Sequence, residues 1–226
     1  MALIEGRPFI DYQLDWLRSA GIRDVVLCTG HEARTVREHC GNGMGHGLLL
    51  RYSTEEEPLG TAGALKHAER YIRRSPFLLL NGHSIFDFDL GGMVFDHWSH
   101  EASATMALAR PQEASRHGRV WLDPEERITR FGEKQPAADP VASAVSTAAC
   151  WVSAGVYLFS RNIFSQIPEV ARNLSLEQDV LPQMVGGSLY GFRSNGYFID
   201  IGVPEDFARA QKELPERFSC VHQNLR

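Results

Sequence analysis

The sequence predicts an α/β fold built on a mostly parallel sheet with a small mixed β part. Two observations carry this. In the first half, short apolar runs alternate with amphipathic segments of helix length, the pattern of parallel strands joined by crossover helices. After Pro111 the rhythm breaks into strand-like stretches separated by turn-rich segments, which points to mixed or antiparallel pairing.

The elements follow in order. Ile10, Leu14 and Leu17 share one face of a helix that stops at Ala20-Gly21, and Val25-Val26-Leu27-Cys28 reads as a buried strand closed by Thr29-Gly30. Val36 sits in a short helix ended by Gly41, and Leu48 to Tyr52 is a strand. Leu65, Ala68 and Ile72 mark a helix that leads to the strand Phe77 to Leu80, which ends at Asn81-Gly82. A helix around Met93 to His100 and a strand from Ala104 to Ala109 continue the same sheet. Arg119 to Leu122, Ile128 to Phe131 and Cys150 to Phe159 are the strands of the mixed part. A helix near Leu176 to Val185, a strand from Tyr197 to Ile201 and a helix from Pro204 to Leu214 close the fold, with Pro204 suited to a first turn and Glu205 and Asp206 placed against its dipole. One domain is expected over 1–214, followed by a C-terminal tail, 215–226.

With 226 residues and 43% hydrophobic content the chain can bury a sizeable core, and no segment is compositionally biased enough to read as disordered. A formal charge of −5, with basic residues scattered among acids, argues against nucleic acid as a partner. The apolar runs are too short to cross a bilayer, and Glu5 follows Met1-Ala2-Leu3-Ile4 too soon for a signal peptide, so a cytoplasmic location is expected and no membrane partner. Cys28, Cys40, Cys150 and Cys220 lack disulfide-scaffold density and paired metal spacing, and each reads as a buried thiol. Oligomeric state is invisible at this level, and a homo-oligomer stays open.

In sheets of this kind ligands bind beyond the carboxyl ends of the strands. Gly60 and Gly63 flank Thr61-Ala62 where a loop enters a helix, which lets bare N–H groups and a hydroxyl approach a flat or anionic ligand, although a plain structural turn has the same look. Glu133-Lys134 ends a strand with an acid able to accept from sugar hydroxyls and an ammonium able to meet a phosphate; a solvated edge pair is the bland alternative. Asp200, inside Tyr197-Phe198-Ile199-Asp200-Ile201-Gly202, is a carboxylate in an apolar frame, costly unless it is paired, hydrogen-bonded or bound to a cation. Cys40-Gly41-Asn42-Gly43-Met44-Gly45 comes nearest to a dinucleotide-binding glycine pattern but lacks the strand-to-helix setting.

Several of these strings together resemble the sugar-nucleotide pyrophosphorylase family of sugar-phosphate nucleotidylyltransferases: Glu5-Gly6-Arg7-Pro8-Phe9, Glu57 to Leu65, Phe131-Gly132-Glu133-Lys134, Ala154 to Phe159, Ser175-Leu176-Glu177 and Phe198 to Asp206. The look is nearest to heptose-1-phosphate and mannose-1-phosphate guanylyltransferases. The resemblance implies a Rossmann-like three-layer α/β/α fold of the nucleotide-diphospho-sugar transferase type. It also implies transfer from an NTP, with GTP favoured, to a sugar 1-phosphate, yielding an NDP-sugar and pyrophosphate, in the presence of Mg²⁺ or Mn²⁺. On the same basis Leu59, Gly60, Thr61, Gly63, Asn81 and Gly82 would contact the nucleotide. Gly118, Glu133, Lys134, Ser153 and Glu177 would hold the sugar phosphate, Lys134 and Asp200 would be catalytic, and Asp200 would bind the metal.

Two departures stand beside the matches. Family members open with a strand and a GGxGTRL loop followed by a Pro-Lys-Pro segment, and Met1-Ala2 aligns just after it; a chain without them is expected to lack a phosphate cradle and to leave sheet edges unpaired. At Asn81-Gly82-His83-Ser84 the family usually has Asp where His83 stands, and imidazole is a poor Mg²⁺ ligand; Mn²⁺, Zn²⁺, or Asp87 or Asp89 in its place are the alternatives. Ser153 also replaces a frequent Asn. A catalytically impaired homologue that binds sugar phosphate or nucleotide or acts as a regulatory subunit is therefore the rival expectation, and a fragment of a longer chain is a third. His31, His39, His46, His67, His97, His100, His117 and His222 show no shared ligand spacing and read as surface or satisfied residues.

Overall fold

The computed structural model describes residues 1–110, 119–132, 151–169 and 173–218, which form two compact units. The first comprises Met1–Arg73, Glu169–Ser175 and Ile199–Arg226, and the second Arg74–Pro168 and Leu176–Phe198.

The first unit opens with a hairpin of β1 (Leu3–Ile4) and β2 (Arg7–Pro8), followed by α1 (Phe9–Ser19). Phe9, Leu14, Trp16 and Leu17 are buried along α1, and the helix ends at Ala20 as its periodicity predicts. Then come β3 (Asp24–Thr29), α2 (Ala33–Cys40), a short 3₁₀ turn at Met44–His46, β4 (Leu49–Thr54) and α3 (Gly60–Ala68). β3 and β4 pair in parallel, Asp24 opposite Leu49 through Thr29 opposite Thr54, as a two-stranded sheet. The expected burial of Val25 to Cys28 is not met. Val25, Val26 and Leu27 are half-buried and Cys28 is exposed, because among the described residues β3 has a strand on one edge only. Cys40 is buried, and burial pushes its thiol up to about 11, so it stays protonated.

In the second unit β5 (Phe77–Leu80), β6 (Ser84–Phe86) and α4 (Leu90–Ser99) precede β7 (Ala104–Ala109), β8 (Arg119–Leu122), β9 (Ile128–Gly132), β10 (Trp151–Phe159) and β11 (Leu189–Arg193). A six-stranded sheet runs β11-β7-β10-β8-β9, with β5 also on β10. β7 is parallel to β11 and antiparallel to β10, so it does not simply extend a parallel run, and the strands after Pro111 belong to this sheet. Phe86, Met93, Ala107, Val156 and Leu158 form a core under α4, with Leu78, Leu80 and Phe192 packed against it.

The helix expected near Leu176 to Val185 is a π turn, Leu176–Val180, running into a 3₁₀ turn, Leu181–Met184. Pro182 explains the break, since it has no N–H for an α-helical bond. β12 (Phe198–Asp200) leads the chain back to the first unit, where α5 (Pro204–Phe218) begins at Pro204 as expected. α5 passes Leu214 and Pro215 to Phe218, whose ring meets Tyr12 edge-on at 5.4 Å. Gln211 ties α5 to the hairpin, its Nε2 donating to the Leu3 carbonyl (3.0 Å) and its Oε1 accepting from Glu5 N–H (2.8 Å).

Candidate functional site

In the first unit the Leu59 to Gly63 segment starts α3, so the glycines flank a helix entry as the sequence predicts. Gly60 adopts φ +74, and a Cβ on it would lie 2.2 Å from Asn173 Oδ1 and 2.4 Å from the Leu174 carbonyl oxygen. The chain at 173–174 is clamped on this loop from both sides: Ala62 N–H donates to Leu174 O at 2.9 Å, and Leu174 N–H donates to Leu59 O at 2.8 Å. Glu55 Oε2 accepts from Leu59 N–H at 3.4 Å. Thr61 is exposed, whereas Ala62 and Gly63 are buried. Asn173 and Leu174 carry no signal in the sequence that would have joined them to this loop.

Asp200 is half-buried in the same unit, after the fully buried Ile199. Its Oδ1 accepts from Gly202 N–H at 2.9 Å, and its carbonyl accepts from Val203 N–H at 3.2 Å, which fixes the turn into α5. The polar partner that a carboxylate in an apolar frame requires is thus partly supplied by backbone.

In the second unit Asn81, Gly82 and His83 follow β5 directly, with Gly82 and His83 exposed. Asn81 N–H donates to Gly155 O at 2.8 Å. Gly155 has φ +68, and a Cβ there would meet Asn81 Nδ2 at 2.8 Å, so side chain and backbone lie in close contact. Asn81, expected at the nucleotide, therefore lies against Gly155, two residues along β10 from Ser153, expected at the sugar.

β10 is irregular at this place: its register against β7 shifts between Ser153 and Tyr157. In an unbroken strand residues four apart stand about 13 Å from one another. Here the Ser153 and Tyr157 hydroxyls meet at 3.1 Å. Tyr157 O–H also donates to Glu177 Oε1 at 3.2 Å, and Gly155 N–H donates to Ser153 Oγ at 3.3 Å. Burial, and then the Glu177 charge, drive the Tyr157 phenol well above its ordinary pKa, so it remains a donor. A carboxylate only accepts, so the hydrogens run one way, from Gly155 through Ser153 and Tyr157 to Glu177. Ser153 and Glu177 are thus brought together as expected, and Tyr157, quoted in a motif but given no role, is the residue that joins them. Gly118, Glu133 and Lys134 lie outside the described residues.

The nucleotidyl transferase family model matches residues 1–217. The chain belongs to this family. A sugar-phosphate nucleotidyltransferase is therefore what the resemblance had indicated, and its family and relatives are enzymes. It is 36% identical over 215 residues to D-glycero-alpha-D-manno-heptose 1-phosphate guanylyltransferase of Aneurinibacillus thermoaerophilus, covering 95% of this chain and 88% of that one. It is 32% identical to mannose-1-phosphate guanylyltransferase of Mycobacterium tuberculosis, covering 92% of this chain and 56% of that protein's length. Among solved structures, the nucleotidyltransferase aligns with HddC from Yersinia pseudotuberculosis at TM-score 0.81 and 25% identity over 94% of this chain and 88% of that one. A structure of HddC complexed with GMP-PN aligns at TM-score 0.78. The fold is that of the nucleotide-diphospho-sugar transferases, and these relatives lend the non-catalytic alternative no support. Among the described residues no helix is long and apolar enough to cross a membrane.

Proposed function

We propose that this nucleotidyltransferase transfers a guanylyl group from GTP to heptose 1-phosphate or mannose 1-phosphate. The observation that carries the proposal is the 36% identity, over 95% of the chain, to a heptose 1-phosphate guanylyltransferase. An oxygen of the sugar phosphate attacks the α-phosphorus of GTP; that P–O bond forms, the bond to the bridging α–β oxygen breaks, and pyrophosphate leaves with its electron pair. Positioning and charge neutralisation suffice, without a covalent enzyme intermediate.

In this reading Leu59, Gly60, Thr61, Gly63, Asn81 and Gly82 hold the nucleotide. Ser153 and Glu177 accept from sugar hydroxyls, with Gly118 and Glu133 beside them and Lys134 on the phosphate. Asp200 is the oxygen donor for a divalent cation. His83 supplies an imidazole where Mg²⁺ prefers oxygen ligands, and Mn²⁺ is the proposed alternative. The location proposed is the cytoplasm, and the product would feed lipopolysaccharide or capsule assembly.

The test is sugar-nucleotide and pyrophosphate formation by the purified protein with GTP and each sugar phosphate, in Mg²⁺ and in Mn²⁺. Product is expected with Mn²⁺, and His83→Asp is expected to raise the Mg²⁺-supported rate. Absence of GDP-sugar with either substrate and either metal, in a folded protein, overturns the proposal.

A further inference from the structure

The turn 41–47, set aside as a poor nucleotide motif, brings together three metal-ligating side chains distant in sequence. Asp11 lies in the first turn of α1, His39 in the last turn of α2, and His46 at the end of the 3₁₀ turn. Asp11 Oδ1 is 2.7 Å from His39 Nε2 and 3.8 Å from His46 Nε2, and one ligand atom from each residue lies within 4.8 Å of the other two. Backbone bonds hold the turn: His46 N–H and Leu48 N–H both donate to Gly43 O, at 2.9 and 3.0 Å, and Leu50 N–H donates to Asn42 O at 3.0 Å.

The Asp11 side chain is 11% exposed, that of His46 18% and that of His39 32%, so the carboxylate and one of the two imidazoles are largely shielded from water. His39 satisfies Oδ1 with a hydrogen bond, but 3.8 Å leaves His46 Nε2 beyond hydrogen-bond range of it. Two imidazoles aimed at one carboxylate oxygen exceed what a single hydrogen bond needs, and suit a shared cation. Zn²⁺ with ligands at 2.0–2.1 Å in a tetrahedron sets those ligands about 3.3 Å apart. The two distances here fall on either side of that value. Arg7 Nε stands 3.8 Å from Oδ2, on the other oxygen, and its NH2 is engaged by Asp15 at 2.6 Å, so Oδ1 remains on the imidazole side.

We propose that Asp11, His39 and His46 form a Zn²⁺ site of the first unit, with water as fourth ligand, that ties α1 to α2 and to the following turn. Two nitrogen donors and one oxygen donor fit Zn²⁺ and exclude Mg²⁺ and Ca²⁺. The site consists of residues separate from those assigned to the nucleotide and the sugar.

The test uses the untagged full chain, stripped with a chelator and titrated with ZnCl₂ by calorimetry, with Co²⁺ as a spectroscopic probe. Expected are a bound equivalent of Zn²⁺, a tetrahedral ligand-field band with Co²⁺, and a higher melting temperature in Zn²⁺. Loss of a supporting partner alone lowers metal affinity about 10–100-fold, so loss of a direct ligand in His46→Ala should cost at least that. His39→Ala removes a hydrogen bond as well and can destabilise the fold; His46→Ala does not have that defect and carries the test. His83→Ala is expected to keep this equivalent. No zinc bound by the parent protein, affinity unchanged in His46→Ala, or loss of the equivalent in His83→Ala overturns the proposal.

Discussion

Replacing Gly60 by alanine tests whether the loop that begins α3 is held by the chain at 173–174. Two costs add. A non-glycine residue in the left-handed region loses about 1–2 kcal/mol. The new Cβ, 2.4 Å from the Leu174 carbonyl oxygen, must also push that carbonyl away, and with it the bonds from Ala62 N–H and to Leu59 O. At about 0.5–1.5 kcal/mol each, those two bonds bring the total to about 2–5 kcal/mol. For a chain of this size that lowers the melting temperature by about 4–20 °C. Gly21→Ala is the matched control, since Gly21 has φ +84 but nothing within 4 Å of its Cβ position. It should cost the backbone strain alone, about 2–8 °C. Thermal unfolding followed by circular dichroism, with GTP binding measured on the same samples, separates the two. If Gly60→Ala melts no lower than Gly21→Ala, the clamp does not hold the loop, and the reasoning fails.

Tyr157→Phe leaves Ser153 and Glu177 without the hydroxyl between them, a loss of about 1–3 kcal/mol; it should raise KM for the sugar phosphate more than KM for GTP, in steady-state assays varying each substrate. His97, 1% exposed between Thr105 Oγ1 (2.8 Å) and Ser160 Oγ (3.0 Å), is held down at about 4 by burial. The unfolded chain takes up that proton first, so stability is full above about pH 6.5 and falls by about 3 kcal/mol as pH drops to about 4; urea midpoints across that range should fall steeply in the parent protein and more gently in His97→Asn. Asp200→Asn should lower turnover at least about 10²-fold at unchanged melting temperature, as checked by pyrophosphate release.

Local pattern was readable wherever a segment's period matched its burial. β7 and β8 have the predicted bounds, and α1 and α5 differ only at their ends. β11 escaped because Gly191 interrupts its apolar pattern, yet a Cβ there would meet Leu108 Cδ1 at 2.6 Å and Leu122 Cδ2 at 2.7 Å, so packing requires the glycine. β6 is three residues long, too short for any period to register. The site was legible as motifs and not as contacts. Asn173 and Leu174 hold Gly60 from far along the chain, and Asp11 reaches His39 across 28 positions. Ligand spacing in a sequence detects only neighbours on one element, and from spacing alone both imidazoles read as surface or satisfied residues.

The direction of the hydrogens in β10 gives the serine at position 153 a meaning. An asparagine amide at that position would offer two N–H donors as well as a carbonyl, and could turn either end to a ligand. Ser153 has one hydrogen, and Tyr157, whose own hydrogen is committed to Glu177, provides an acceptor for it at 3.1 Å. What Ser153 then offers is an acceptor, as does the Glu177 carboxylate. Acceptors pair with sugar hydroxyls and repel phosphate oxygens, so in the proposed function Ser153 and Glu177 meet the sugar ring. The proposed function leaves the phosphate to Lys134. A substrate analogue with a hydroxyl replaced by hydrogen should therefore lose affinity through Ser153 and Glu177, whereas one lacking the phosphate should retain that part of its recognition.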